Sequence, residues 1–150
     1  MRTIVLGFPR SGTGTLSKVY DVGHEEMTEK GTPDWHLVGN YERQEGDTLI
    51  HVVRNPLEVI TSNLFTMRTD SLQIMKEITG LPEKRFVQFL IDSWIYFDKK
   101  IREYNPDETI KIETIGQIEN GRKHPKLTWE DLDLLANTKE IKKIAEEYGY

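Results

Sequence analysis

The opening of the chain constrains its fold more than any other stretch. Thr3 to Leu6 is a short β-branched and aliphatic run that ends in Gly7, and it reads as a buried strand. The segment Gly7-Phe8-Pro9-Arg10-Ser11-Gly12-Thr13-Gly14-Thr15 follows, and Thr13 to Tyr20 then reads as a helix in spite of Gly14. A strand, a glycine loop and a helix in that order point to a crossover connection, with the next strand lying parallel to the first.

The alternation continues. Tyr20 to His24 reads as a second, short strand. Residues 25–40 are polar and broken by Gly31, Pro33 and Gly39, which suggests a loop with one helical turn near Trp35. Thr48 to Val53 is the clearest strand and runs straight into Arg54-Asn55-Pro56-Leu57-Glu58, a helix start. There Asn55 can cap, Pro56 suits the first helical position and Glu58 can complete a capping box. That helix should run to about Met67, and a short helix from Ser71 to Thr79 closes at Gly80.

From Glu83 to Tyr104, Phe86, Leu90, Trp94, Phe97 and Ile101 fall at helical spacing. Thr109 to Ile115 alternates as a strand does, and residues 116–127 form a polar loop. Two capped helices finish the pattern, one opened by Thr128 with Asp131 and one by Asn137 with Glu140. The second carries Ile141, Ile144, Ala145 and Tyr148 on one face. Strands separated by helices argue for one α/β domain over residues 1–150, with a parallel sheet that binds ligands beyond the carboxyl ends of its strands.

Composition narrows the chemistry. With 37% hydrophobic and 30% charged residues, the chain reads as soluble and globular. No apolar run is long enough to span a bilayer, and Ile4-Val5-Leu6 is too short for a leader, so a cytoplasmic protein without a membrane partner is expected. Zero cysteines exclude a disulfide scaffold, a thiolate zinc site and a cysteine nucleophile. A net charge of -5, with no Lys/Arg run longer than two, argues against nucleic acid as a general partner. Any bound anion must therefore meet a local cluster of positive charge.

The first loop offers one. A turn of this kind can point successive backbone N–H groups inward as an anion nest, and the helix behind it adds the positive end of its dipole. Arg10 can add a bidentate contact to a phosphate or sulfate oxygen. The nucleotide-hydrolysing form of such a loop continues Gly-Lys-Ser/Thr, with the hydroxyl on magnesium. Here Thr13 and Gly14 hold those positions, which disfavours ATP or GTP hydrolysis. The plainer alternative is that Gly7 and Gly12 only make a tight strand-to-helix turn.

A second motif lies in His51-Val52-Val53-Arg54-Asn55-Pro56-Leu57-Glu58-Val59-Ile60-Thr61-Ser62. It places Arg54 at a strand end and Ser62 two turns into the next helix, where both can hold a second phosphate. Alone, either residue is more simply an arginine paired with a nearby acid or an indifferent helix serine. Together the two loops should open on one edge of the sheet, and a ligand with two separated anionic groups explains both.

Gly7-Phe8-Pro9-Arg10-Ser11-Gly12-Thr13 resembles the 5′-phosphosulfate loop of the sulfotransferases that use 3′-phosphoadenosine 5′-phosphosulfate, and Arg54 and Ser62 resemble their 3′-phosphate motif. Arg122-Lys123-His124-Pro125-Lys126-Leu127-Thr128-Trp129, with the ending Tyr148-Gly149-Tyr150, is similar to the tail of several small bacterial-type members. Close likeness covers about a quarter of the chain. The resemblance implies a three-layer α/β/α fold of the phosphate-binding-loop type, with a short parallel sheet of about four strands.

It also implies transfer of a sulfuryl group to a hydroxyl or amine without a metal, the product being adenosine 3′,5′-bisphosphate. Pro9, Arg10, Ser11, Gly12, Thr13, Gly14, Thr15, Arg54 and Ser62 would then hold the nucleotide, and Arg122 and Lys123 would close over its 3′-phosphate. Arg10 would stabilise charge on the leaving oxygen. Many members carry lysine there, and an arginine stays protonated, so proton donation is not its role. The general base would come from Val22-Gly23-His24-Glu25-Glu26, with Glu25 the first choice and His24 the second. An acidic cluster at a strand end is also an ordinary solvated loop.

His51 reads as a core residue, and His36 and His124 as loop residues with no obvious partner. No His/Asp/Glu set has convincing metal-ligand spacing. Two other readings stay open: a non-catalytic module that binds the bisphosphate, and a small kinase using the same nest. The acceptor, a small molecule or a glycan-type hydroxyl, is not named by the sequence, nor is a homo-oligomer decided.

Overall fold

The computed structural model describes residues 1–20, 31–33, 35–115 and 124–150. They divide into two compact units, one within 1–54 and 97–120 and the other within 55–96 and 121–150. Among the described residues no helix is long and apolar enough to cross a membrane.

The first unit is mixed α/β, built on a small parallel sheet. Its body is β1 (Thr3–Leu6), β3 (Thr48–Val53) and β4 (Glu108–Lys111), and a three-residue β2 (Gly31–Pro33) flanks β1, giving the order β2-β1-β3-β4. Every pairing is parallel. Thr3 to Leu6 face Thr48 to His51, Ile50 to Val53 face Glu108 to Lys111, and Thr3 to Val5 face Gly31 to Pro33. Ile4, Val5, Leu6, Leu49, Ile50, Val52 and Val53 are all buried, so β1 and β3 are covered on both faces, as parallel strands are.

Helix α1 (Thr13–Tyr20) follows β1, and its Leu16 packs in a cluster with Val5, Ile50, Val52 and Ile112. Burial of each such side chain contributes about 1.5–3 kcal/mol. Two expectations from sequence move. The second strand lies at Gly31–Pro33 and not at Tyr20 to His24, of which residues 21–24 are outside the described set. The last strand ends at Lys111, and Ile112–Ile115 turns into a 3-10 helix.

The amino edge of this sheet is held by charge. Arg2 donates from Nε and Nη2 to the Asp47 carboxylate at 2.8 and 2.7 Å, and Tyr41 donates its hydroxyl to the same group at 2.9 Å. The Arg2 guanidinium holds the Asp47 carboxyl well below the usual carboxylate range. Burial first, and then the Asp47 carboxylate, push the Tyr41 phenol up to about 12. Beside them Arg43 pairs with Asp107, whose carboxylate also accepts the Leu49 N–H at 2.8 Å.

The second unit is helical. Helix α2 (Pro56–Thr66) starts as its sequence dictates: Asn55 Oδ1 accepts the Leu57 N–H at 3.1 Å and Pro56 takes the first position. Helix α3 (Thr69–Thr79) closes at Gly80, which takes the left-handed conformation at φ 66°. Helix α4 (Phe86–Glu103) begins in this unit and ends in the first; Leu90, Trp94, Phe97 and Ile101 of its apolar stripe are all buried.

Helix α5 (Trp129–Asp133) opens on the full capping box of Thr128 and Asp131. Helix α6 (Lys139–Glu147) buries Ile141, Ile144 and Ala145. Its cap is Thr138, one residue later than the sequence suggests, because the Thr138 hydroxyl is bonded to Asp133. Asn137 Oδ1 instead accepts the Lys139 N–H at 3.1 Å.

Candidate functional site

Because all strands run the same way, the segments that leave them emerge on one edge. The glycine loop leaves β1 there. Its turn closes with the Ser11 N–H on the Phe8 carbonyl at 3.0 Å, and α1 begins with the Leu16 N–H on the Gly12 carbonyl at 3.1 Å. The first turn of any helix carries N–H groups with no carbonyl four residues behind them, which makes this junction suited to an anion. Phe8, Pro9, Ser11 and Thr13 are buried, while Arg10 is exposed and Gly14 and Thr15 are half-buried.

Two glycines and one arginine shape the loop. A Cβ on Gly7 would lie 2.6 Å from Val52 Cγ1 and 2.9 Å from the Val52 carbonyl oxygen, so a side chain there would push β1 from β3. Gly12 has φ 106°, and a Cβ on it would meet Ile112 Cγ1 at 2.4 Å. Both glycines are thus accounted for by packing, without any ligand. Arg10 is different. It sits at φ 71°, in the left-handed region where a side-chain-bearing residue costs about 1–2 kcal/mol. Strain of this kind persists where the surroundings impose it, often at sites that bind.

Arg54, at the end of β3, donates from Nη1 to the Arg10 carbonyl oxygen at 3.1 Å. The two arginines singled out by sequence therefore meet at one loop. A guanidinium bound to the loop's own backbone sets the electrostatics of this edge, in a chain whose net charge is -5. Ser62 is buried on α2 in the second unit, where its carbonyl accepts the Thr66 hydroxyl at 2.7 Å. Glu25, His24, Arg122 and Lys123 lie outside the described residues.

Sequence reasoning missed several neighbours of the loop. Phe8, inside it, meets Phe97 edge-on with ring centroids 5.0 Å apart, and Phe97 lies 6.3 Å from Trp35, which stacks at 4.1 Å on His36. His36 therefore has an aromatic partner, as does His124, whose ring is parallel to that of Phe65 in the second unit. The buried Trp35, next to a histidine in an otherwise polar stretch, was the available signal.

His51 is buried, as expected of a core residue. Burial, and then the charge of Arg102, lower its imidazole to about 3, so it is neutral at physiological pH. Its 3.8 Å approach to Asp98 is consequently not an ion pair; Asp98 is bridged by Arg102 Nε at 2.9 Å. Among the described residues no three His, Asp or Glu side chains gather in a way that could hold a metal ion. No protein-family model, characterised protein or solved structure matches the chain.

Proposed function

We propose that the chain is a sulfotransferase that uses 3′-phosphoadenosine 5′-phosphosulfate as donor, on a three-layer fold of the phosphate-binding-loop type. The observation that carries this reading is the bond from Arg54 Nη1 to the Arg10 carbonyl. It brings the second basic motif to the first, as a ligand with two separated anionic groups requires. The loop from Pro9 to Thr15 would take the 5′-phosphosulfate, with Arg54 and Ser62 on the 3′-phosphate and Arg122 and Lys123 closing over it.

In this reaction an acceptor oxygen or nitrogen attacks sulfur while the bond from sulfur to the 5′-phosphate oxygen breaks. Charge grows on that leaving oxygen, and fixed donors aimed at growing charge supply much of an enzyme's acceleration. Arg10 suits the role because its guanidinium stays protonated and its backbone is already held in place. Thr13 and Gly14, where a hydrolase would carry lysine and a magnesium-binding hydroxyl, favour sulfuryl over phosphoryl chemistry.

The test is a titration with adenosine 3′,5′-bisphosphate, its 2′,5′ isomer and ATP with magnesium. The 3′,5′ compound should bind tightest, and a preference for ATP with magnesium would sink the proposal. Transfer of labelled sulfate to hydroxyl and amine acceptors then separates enzyme from binding module. Binding without transfer to any of them would favour the module.

A further inference from the structure

We propose that His36 is the general base that takes the proton from the acceptor, an inference that rests on the sulfotransferase reading. Sequence pointed instead to Glu25 and His24, on the premise that the second strand ends at His24. The strand that pairs with β1 is Gly31–Pro33, and Pro33 is level with Val5. The chain leaving β2 therefore emerges on the same edge as the loop leaving β1. His36 is three residues past that strand end.

Position alone would place many residues near this edge. What distinguishes His36 is how it is held. Trp35 is 3% exposed and packs on Phe97, which in turn meets Phe8 of the glycine loop, so one buried aromatic column ties the loop to the segment carrying His36. The imidazole stacks on Trp35 with ring centroids 4.1 Å apart, and it remains half-buried, within reach of solvent and ligand. A ring fixed on one face and open elsewhere is pre-oriented for proton transfer, which is what a general base requires. His51 cannot serve, being buried and neutral through the physiological range.

The step balances simply. The acceptor hydroxyl oxygen forms a bond to sulfur, and its proton passes to an imidazole nitrogen of His36. The bond from sulfur to the phosphate oxygen breaks, its electron pair leaving on adenosine 3′,5′-bisphosphate.

Two substitutions test it on the full chain. His36→Gln removes the base, and His36→Phe keeps a ring on Trp35 while removing the proton acceptor. Both should lower sulfuryl transfer about 100-fold or more, with bisphosphate affinity unchanged. The wild type should lose rate on acidification within the imidazole range of about pH 5–8, and both variants should lose that dependence. Independently of turnover, the ring-proton resonances of His36 should shift when adenosine 3′,5′-bisphosphate is added.

Full transfer in His36→Phe, or loss of transfer confined to Glu25→Gln, overturns His36 while leaving the sulfotransferase reading intact. Failure of the wild type to bind the bisphosphate overturns that reading itself. Binding with no transfer to any hydroxyl or amine removes the need for a base, and the proposal falls with it.

Discussion

The two edges of the sheet in the first unit use arginine in opposite ways. At the amino edge Arg2 and Arg43 each meet a carboxylate, Asp47 and Asp107, and those carboxylates also accept N–H groups from Gln44 and Leu49. Charge there is spent on holding the chain together. At the carboxyl edge Arg54 donates to a neutral carbonyl, that of Arg10, whose own backbone is left-handed. One edge stabilises the fold, and the other carries strain. That contrast separates a structural charge network from a binding one more clearly than counting arginines does.

The sharpest way to break the comparison is at Gly12. Gly12→Ala should destabilise the protein by about 3–5 kcal/mol, adding strain at positive φ to a collision with Ile112. Chemical denaturation measures it, and a loss under about 1 kcal/mol would mean that Ile112 yields easily and the loop is not packing-limited.

Asp47→Asn comes next. It should cost about 3 kcal/mol at neutral pH, the low end for a broken buried pair because Arg2 is partly exposed. The folded Asp47 carboxyl is depressed, so its contribution is complete above the unfolded value of about 3.9 and fades as pH falls through the folded one. The deficit of the variant should therefore be equal at pH 7 and pH 5 and shrink only below about pH 4. A deficit that already narrows between pH 7 and pH 5 would assign the stabilisation to another group.

Arg54→Ala should act on the ligand and not on the fold. Bisphosphate affinity should fall by about 1.5–3 kcal/mol, roughly 10- to 100-fold, with stability changed by less than about 0.5 kcal/mol. The reverse pattern, seen in parallel titration and denaturation, would make the carboxyl edge a structural network like the amino one. The smallest effect is expected at Arg10. Arg10→Gly should raise stability by about 1 kcal/mol by relieving the left-handed backbone, while weakening the bisphosphate. A variant that loses stability would show that the Arg10 side chain supports the fold.

Much of this was legible locally. β1 and β3 are uninterrupted apolar runs that only burial on both faces explains, and Asn55 with Pro56, Thr128 with Asp131, and Gly80 carry their helix boundaries in their own chemistry. β2 was not legible, because Gly31-Thr32-Pro33 has no strand pattern of its own; it is extended because the edge of β1 offers it hydrogen bonds. Nor was the end of β4. Thr109 to Ile115 alternates throughout, but Ile112 turns into the 3-10 helix, joins the Leu16 cluster and lies against Gly12.

The candidate site divides along the same line. Sequence by itself determined a strand, a glycine loop, a helix and an arginine at the end of a later strand, since each is written in a few adjacent residues. Only the tertiary structure decided that Arg54 reaches the Arg10 carbonyl across forty-four positions, that His51 is buried and neutral, and that His36 is stacked on Trp35 at the edge where the loop opens. The reason is physical. Local propensity depends on neighbours in sequence, whereas convergence, desolvation and stacking depend on which strands pair, and strand pairing brings together residues far apart in the chain.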